Sequence, residues 1–332
     1  MNATARPRIY TRDALYTFDQ YTIDTTGAFL IGELERLDMT MNEPLVTTTW
    51  TRDIPLREDV TIADEISSFT NTNFASAGGL TPGGKAWIGK DSNAIAGVAL
   101  DIGKTAQPLF LWGMELSYTI PELESAMKLG RPVDSQKLEV IQLRHSMDID
   151  EQVYIGDTVL NQTGLLTSPA VSTANVINGV STSPLWSSKT PDEMLADVNT
   201  LLTRVWTNSG YAVMPSELRL PPIQFGRLVS TKVSSAGNIS ILEFLRANSL
   251  SNAANGTQLN IQPLKWLVGR GAAGTDRMLA YTKDKKRVRY PMTPLQRTPL
   301  EYRSIWQSTT YFGRLGVIEM PYSETLGYAD GL

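Results

Sequence analysis

The sequence predicts a fold that mixes helices and strands, of class α+β or α/β, and three observations support this. A long helical pattern follows Pro132, and a second helix opens with a capping box formed by Thr190 and Glu193. From there towards the C-terminus, strand-like apolar runs alternate with helical segments. Because alternating strands and helices pack as layers, we expect a mixed sheet flanked by helices.

The long helix is expected from about residue 132 to residue 155, after a strand (LWGMELSYT) and a short helix (IPELESAMKLGRP). Pro132 suits the first turn, where the N–H groups have no partner inside the helix, and Asp134 favours the positive end of the dipole. Gly156 ends the pattern. Two apolar stripes predict two packing partners. The stripes are Val140, Leu143, Met147 and Tyr154, and Leu138, Ile141, His145 and Ile149.

The second helix is expected from Thr190 to Gly210, with Pro191 in its first turn. Its apolar face consists of Met194, Leu195, Val198, Leu201, Leu202, Val205 and Trp206. The segments after this helix are predicted as a strand (YAVMP), a turn at Pro221 and Pro222, a helix around Ile239 to Asn248, and the strands QLNIQPLKWLV, DRMLAYT and KRVRYPM.

The segments before the long helix lack the apolar content of an independent domain. Residues 1–50 show no period long enough for a stable unit, so we expect an arm held by other contacts. Residues 66–107 predict a hairpin with strands SSFTNTNF, KAWIG and GVALDIG around the turn GGLTPGG. Two strands without an apolar partner bury too little surface to offset their ordering entropy. A neighbouring subunit should therefore supply the missing contacts.

Composition and charge argue against several classes of protein. The length suits about two domains, and 42% hydrophobic residues suit a folded chain. A net charge of −4 and a pI near 5.3 disfavour tight binding of nucleic acid through its phosphates. The absence of cysteine excludes disulfides and thiolate sites. No apolar run approaches the ~20 residues that cross a bilayer, and no signal core is present, so we expect a soluble protein that is not exported.

Two phrases in a fixed order resemble one known family. The turn GDTVLNQTGLL is similar to the glycine-aspartate turn and GLL element that come after the spine helix in the major capsid proteins of tailed bacteriophages, which have the HK-97 fold. The C-terminal GVIEMPYSETLGYADGL is similar to that family's closing strand, which tends to end in an aromatic residue, an Asp-Gly pair and an aliphatic residue. The resemblance extends over about residues 50–332 and includes no catalytic signature.

The resemblance implies an α+β fold, the HK-97-like capsid fold, with four parts. These are an N-terminal arm at residues 1–55, an extended β-hairpin loop at 56–110, a peripheral domain at 111–164 and 300–332 with the spine helix at about 132–155, and an axial domain at 165–299 with a central sheet flanked by helices.

The resemblance also implies a structural function without enzymatic activity. The expected protein is a major capsid protein that self-assembles through hexamers and pentamers into an icosahedral head around phage double-stranded DNA, located in the virion and assembled in the host cytoplasm. Its expected partners are further copies of itself, portal, scaffold and decoration proteins, and packaged DNA bound without sequence specificity, with no membrane. Two alternatives stay open: an encapsulin-type nanocompartment shell and a soluble dinucleotide-binding α/β enzyme.

Two glycine-rich matches are interpreted as loops. GLTPGGK at residues 79–85 satisfies the first part of a phosphate-binding P-loop, but Ala86 stands where Ser or Thr would hold magnesium, and the flanking stretches predict no buried strand or helix. GRGAAG at residues 269–274 matches the dinucleotide fingerprint, but the next run, DRMLAYT, predicts the return strand of a hairpin rather than a helix.

No catalytic, cofactor-binding or metal-binding residue is predicted. His145, the only histidine, lies in an apolar stripe and is interpreted as a core or interface residue, because Gln142 stands where a helical di-metal motif would have Glu. Four carboxylates fall on different helix faces and predict a solvated or intersubunit salt-bridging surface rather than a cation site. They are Asp148, Asp150, Glu151 and Asp157.

The basic run KDKKRVR at residues 283–289 is interpreted as a solvated hairpin tip, with packaged DNA or the acids of a neighbour as alternatives. Lys85, Lys90 and Lys104 lie in the extended loop, where some proteins of the resembled fold form Lys–Asn cross-links. No catalytic acid can be placed beside these lysines, so no cross-link is predicted.

Overall fold

The computed structural model describes residues 47–77, 97–129, 133–234 and 238–332. Within them the helices are α1 (Trp50–Asp53), α2 (Ile120–Leu129), α3 (Val133–Tyr154), α4 (Pro191–Asn208), α5 (Pro222–Ser230), α6 (Ile241–Asn248) and α7 (Leu250–Asn255). The strands are β1 (Leu56–Arg57), β2 (Ile66–Ala77), β3 (Gly97–Pro108), β4 (Phe110–Thr119), β5 (Ser172–Asn175), β6 (Glu217–Leu220), β7 (Asn260–Pro263), β8 (Arg277–Tyr281), β9 (Tyr290–Pro291), β10 (Gln296–Arg297), β11 (Glu301–Arg303), β12 (Trp306–Leu315) and β13 (Gly327–Asp330).

A five-stranded mixed sheet lies at the centre, in the order β5-β13-β8-β6-β7. β13 is parallel to β5 and antiparallel to β8, and β6 is antiparallel to β8 and parallel to β7. β13 comes from the closing phrase of the chain, yet it lies among strands of residues 165–299. The expected mixed sheet is present, and its alternating side chains supply two cores, one on each face.

Helix α4 covers one face of this sheet. Its predicted capping box is confirmed: the Thr190 hydroxyl accepts from the backbone N of Glu193 at 3.4 Å, and the Glu193 carboxylate accepts from the backbone N of Thr190 at 2.8 Å. The buried apolar side chains of the helix are Met194, Val198, Leu201, Leu202 and Val205. Each contributes roughly 1.5–3 kcal/mol by its burial, so packing on the sheet outweighs the cap.

Helix α3 confirms the predicted long helix but buries its two stripes unequally. Ile141, His145 and Ile149 are buried. The other stripe runs from Val140, which is 48% exposed, to Tyr154, which is fully buried. Only the C-terminal end of that second stripe is therefore well covered by this chain.

A second sheet supports α3 on its buried side. β4 and β12 form a ten-residue antiparallel ladder from Phe110↔Leu315 to Thr119↔Trp306, and β10 and β11 pair with β12. Leu116 and Tyr118 of β4 pack in one cluster with Ile141 of α3. The predicted strand and short helix before α3 are both present.

One strand prediction near the central sheet is wrong, and another is confirmed only in part. YAVMP forms no strand, because Gly210 and Tyr211 both adopt positive φ (63° and 62°) and turn the chain. The strand is β6, whose sequence ELRL is too short and too charged to be recognised by pattern. In KRVRYPM, the strand is limited to Tyr290 and Pro291, which pair in parallel with β1, and single antiparallel bridges flank it at Arg289 and Met292.

β8 is also not the return strand of a hairpin. The preceding KWL is a 3₁₀ helix, Lys265–Leu267. β7 pairs with one edge of β6, whereas β8 pairs with the other edge. A strand from elsewhere in the chain therefore separates the two runs that the sequence predicted as partners. The predicted turn at Pro221 and Pro222 is instead the start of α5, because proline is tolerated in the first turn of a helix.

Candidate interaction surfaces

Among the described residues, the hairpin of β2 and β3 presents a row of exposed apolar side chains that none of those residues covers. Its twelve paired positions run from Ile66↔Pro108 to Ala77↔Gly97, a length of about 40 Å. Val98, Leu100 and Ile102 are 77%, 62% and 59% exposed. They occupy alternate positions of β3 and so share one face. An exposed aliphatic row on a two-stranded ribbon indicates a surface that is covered by a partner.

A buried carboxylate fixes the base of this hairpin. Glu319 is fully buried and accepts from Arg57 Nη1 at 2.8 Å, from Arg289 Nε at 2.5 Å and from the Ser67 hydroxyl. Arg57 also donates to the carbonyl of Ser68 at 3.1 Å. These bonds connect β1, the first residues of β2 and the residue before β9 to the segment after β12, which contains Glu319. The base of the hairpin is therefore held in a defined orientation.

A second buried cluster joins α1, α3 and the central sheet. The Asp53 carboxylate accepts from Arg52 Nε at 2.7 Å, from Arg219 Nε at 3.0 Å and from the Tyr154 hydroxyl at 2.6 Å. Arg219 also donates to Glu217 Oε2 at 2.6 Å. Burial opposes ionisation of Asp53, but the hydrogen bond from Arg52 and the charge of Arg219 lower its pKa overall. The two buried carboxylates thus have cationic partners within the chain.

The turn after α3 needs its two glycines. Gly156 adopts φ +81°, and a Cβ on Gly164 would lie 2.4 Å from the backbone of Tyr154. Asp157 Oδ1 accepts from the backbone N of Val159 at 2.8 Å. The conformation that brings the chain back against the end of α3 therefore depends on the glycine-aspartate phrase singled out in the sequence.

The carboxylates near the end of α3 act mainly as structural acceptors. Asp150 is fully buried, and it accepts from the backbone N of Thr49 at 2.7 Å and from Trp266 Nε1 at 2.7 Å. Asp148 accepts from Trp112 Nε1 at 2.8 Å. The predicted solvated or intersubunit surface is therefore wrong for Asp150, because buried N–H donors compensate its charge.

His145 is buried in the core, which is one of the two positions, core or interface, that the sequence predicted. Its ring lies 4.6 Å from that of Trp112 in a T-shaped arrangement, and its Nε2 is buried without a hydrogen-bond partner in the described residues. Burial lowers the pKa of His145 to about 4. Across the described ranges, no group of three or more His, Cys, Asp or Glu side chains is placed to hold a metal.

A cleft of about 420 Å³ lies between β4 and the end of α3. Its lining includes Trp112, Asp148, Glu151, Asp157 and Leu160. Gln152 and Thr158 also line the cleft, together with apolar side chains such as Ile155. The cleft therefore offers a mixed polar and apolar wall for contact.

Four of the six backbone amides of the GRGAAG loop already donate hydrogen bonds within the chain. The backbone N of Gly269 donates to Asp276 Oδ1, and that of Ala272 donates to Asp330 Oδ2, both at 3.0 Å. A strand, β8, comes after the loop where a dinucleotide site needs a helix. This finding removes the motif on which the dinucleotide-enzyme alternative rested. The P-loop match at residues 79–85 lies outside the described residues.

The basic run 283–289 is divided between structural and free charges. The ammonium of Lys283 donates to the carbonyl of Arg52, and Arg289 binds the buried Glu319. Lys285 and Lys286 are exposed. Of the three lysines considered for cross-linking, Lys104 is exposed on β3, and Lys85 and Lys90 lie outside the described residues.

Sequence reasoning missed the residues that organise these surfaces, namely Asp53, Arg219 and Glu319. Two of them are single charges between apolar neighbours: Arg219 lies between Leu218 and Leu220, and Glu319 lies between Ile318 and Met320. An isolated charge of this kind could have indicated a buried ion pair, because buried charges are retained when paired.

None of the helices in the described part of the chain is long and apolar enough to span a membrane.

Comparison with known proteins agrees with this architecture. The family described as "Major capsid protein" matches residues 83–332. The fold resembles the capsid of Myoviridae phage XM1 (TM-score 0.71, 17% identity, 91% of this chain and 98% of that chain) and a chain of Mycobacterium phage Adephagia (0.60, 10%, 95% and 98%). It also resembles the capsid of a native GTA particle (0.59, 10%, 96% and 99%). No curated protein matches the sequence. The chain therefore belongs to the major capsid protein family, and its α+β fold is the HK-97-like fold of phage capsids.

Proposed function

We propose that this chain is a non-enzymatic shell subunit that assembles through hexamers and pentamers into an icosahedral head enclosing phage double-stranded DNA. Membership of the major capsid protein family supports the shell role. Portal and scaffold proteins, and decoration proteins on the outer surface, are the proposed further partners. The proposed location is the virion capsid, after assembly in the host cytoplasm.

The observation that carries the proposal is the aliphatic row of Val98, Leu100 and Ile102 on the projecting hairpin. A two-stranded ribbon is marginal by itself, because it buries too little apolar surface. A neighbouring copy beneath the row supplies that burial, at about 25 cal/mol for each Å² of apolar surface removed from water. Such a contact joins different patches of the two copies, and heterologous contacts of this kind close into rings.

The four expected parts of the chain then have distinct proposed roles. The loop at 56–110 covers an adjacent subunit, and the arm at 1–55 lies under another. The axial part at 165–299 meets its copies at the capsomer centre, whereas the peripheral parts at 111–164 and 300–332 form the outer contacts. The defined hairpin base around Glu319 supports the first of these roles, because a fixed direction lowers the entropy lost on docking.

The test compares the two faces of the hairpin. We expect the purified chain to form capsomers or shells in gel filtration and negative-stain microscopy. The variant Val98→Ser, Leu100→Ser, Ile102→Ser should lose assembly and keep its melting temperature. A control with Ala99→Ser and Asp101→Asn on the opposite face should assemble normally.

A monodisperse wild-type monomer at high concentration would overturn the proposal. Particles recovered from producing cells distinguish the contents of the shell. Nuclease-protected DNA supports a phage head, whereas a protein cargo without DNA supports a nanocompartment shell.

A further inference from the structure

The charges of this chain are segregated along its sequence. Residues 165–299 carry fifteen lysines and arginines and seven carboxylates, a net charge of +8. The remaining residues carry a net charge of −12. The overall value of −4 therefore conceals a strongly basic part and a strongly acidic part, and such asymmetry favours contacts between unlike parts of different molecules.

Part of this positive charge lies in the loop between β8 and β9, residues 282–289, which we call the basic loop. Arg287 pairs with Asp284 at 3.0 Å, and Arg289 pairs with the buried Glu319. Lys285 and Lys286 are exposed, and neither has an ion-pair partner among the described residues. Their two ammonium groups are therefore available to a partner.

The matching negative charge lies in residues 58–65, which we call the acidic segment. Its carboxylates Glu58, Asp59, Asp64 and Glu65 are all exposed. Asp59 pairs with Arg57 at 2.7 Å, but the other three have no cationic partner in the described part of the chain. Asp64 accepts from the backbone N of Thr61 at 2.7 Å, and this bond lowers its pKa and holds the carboxylate in place.

The backbone holds these two segments at opposite ends of one short ladder. β1 and β9 are parallel, with Leu56 paired to Tyr290 and Arg57 paired to Pro291. The basic loop enters the ladder before β9, and the acidic segment leaves it after β1. Because paired parallel strands run in the same direction, the segment before one strand and the segment after the other lie at different ends of the ladder. The free lysines Lys285 and Lys286 thus lie in the segment before the ladder, and the acidic segment lies after it, although Arg289 at the border of the basic loop is near enough to Asp59 to help lower its pKa.

We propose that the basic loop of one copy docks on the acidic segment of a second copy. This inference rests on the proposed shell function and adds a specific contact to it. The contact is head-to-tail, so every copy in a ring can use both of its charged ends. Exposed pairs of this kind set the register and speed of association more than its final affinity. The acidic segment also forms part of the base of the hairpin, so the contact lies beside the proposed docking ribbon.

A polyanion such as DNA is the competing occupant of the basic loop. The distribution of charge favours a second copy as the occupant. The acidic segment of every copy supplies three carboxylates without an ion-pair partner among the described residues, and their charge is opposite to that of the two lysines. Two free lysines alone suit phosphate binding less well, because tight binding to DNA neutralises several phosphates. The two occupants predict different results when the charges are exchanged.

The experiment reverses the charges singly and together. Lys285→Glu with Lys286→Glu, and separately Glu58→Lys with Glu65→Lys, should each slow assembly by about tenfold at low salt, and added salt should reduce the difference from the wild type. The chain with all four changes should assemble as the wild type does, because its docking pair is merely exchanged. The control Lys232→Glu with Arg270→Glu makes the same change in charge at two exposed sites outside the basic loop, and its assembly should be unchanged. Circular dichroism should show that all variants fold.

Normal assembly of both single reversals would overturn the inference and leave the shell function standing. Failure of the four-residue exchange to restore assembly, together with loss of DNA binding by the lysine variant, would overturn it in favour of a polyanion. A wild-type chain that forms no capsomers would overturn the proposed function, and this inference with it.

Discussion

The strands of the central sheet are buried within the chain, whereas the strands of the β2–β3 hairpin are largely exposed. β6 is buried at all four of its positions, with cores on both faces and strands on both edges. In the hairpin, by contrast, nearly every residue of β3 is exposed, and its apolar row faces outwards. The central sheet has both its backbone hydrogen bonds and its apolar packing within the chain. The hairpin has its backbone hydrogen bonds but little apolar packing.

This difference separates stability from assembly. Free energy of unfolding should reside in the central sheet and the end of α3, where charges and apolar side chains are buried together. The hairpin should contribute little to folding, because it removes little apolar surface from water. Substitutions in the two regions are therefore expected to affect different measurements.

The largest effect on stability is expected at Ile149, whose side chain is fully buried in the core. Ile149→Asp should cost about 5 kcal/mol of unfolding free energy, because it removes apolar packing and buries an unpaired charge. Met147→Asp, two residues earlier on the half-buried stripe, should cost about 1–2 kcal/mol. Urea denaturation measures both. Equal losses would show that the second stripe of α3 is covered as fully as the first.

Arg219→Met should destabilise the fold by about 3–5 kcal/mol, because it leaves the carboxylates of Asp53 and Glu217 buried with fewer partners. The exposed Arg303→Met on β11 is the matched control and should change the unfolding free energy by less than about 0.5 kcal/mol. A thermal melt compares them. If Arg219→Met melts with the wild type, the buried cluster does not join α1 to the sheet energetically.

Because of His145, the free energy of unfolding should decrease as the pH is lowered from 6.5 to 4. The folded pKa of about 4 lies below the usual value of 6.5, so the unfolded chain binds a proton first as the pH drops. Stability is then lost below pH 6.5, by about 2 kcal/mol at pH 5 and about 3 kcal/mol at pH 4.

His145→Leu should lack this component between pH 6.5 and 5, where no other histidine titrates, since His145 is the only one. The measurement is the unfolding free energy of both proteins at several pH values. Parallel curves for the two proteins would contradict the buried, neutral histidine.

The smallest effect on folding is expected from shortening the hairpin. Replacing residues 71–95 with a short Gly-Ser linker should leave circular dichroism and a cooperative melt intact, because the described part of the hairpin removes little apolar surface from water. Assembly should nevertheless be lost in gel filtration and microscopy. A truncated chain that fails to fold would show that the hairpin belongs to the core of its own subunit.

Local signals in the sequence predicted much of the architecture. The capping box at Thr190 and Glu193, the long helix that ends before Gly156, and the turn that needs Gly156 and Gly164 all depend on residues close together along the chain. The same holds for the hairpin itself, whose two strands are close together along the chain. Caps, turns and periodic faces are short-range effects, so neighbouring residues suffice to specify them.

Other features were decided only by contacts between distant segments. The place of β6 between β7 and β8, and of β13 between β5 and β8, results from packing the whole sheet. The partners Asp53 and Arg219 lie 166 residues apart. Strand order and buried ion pairs depend on which surfaces meet in three dimensions. A one-dimensional pattern contains the candidates for such pairs, but the burial that selects among them exists only in the folded chain.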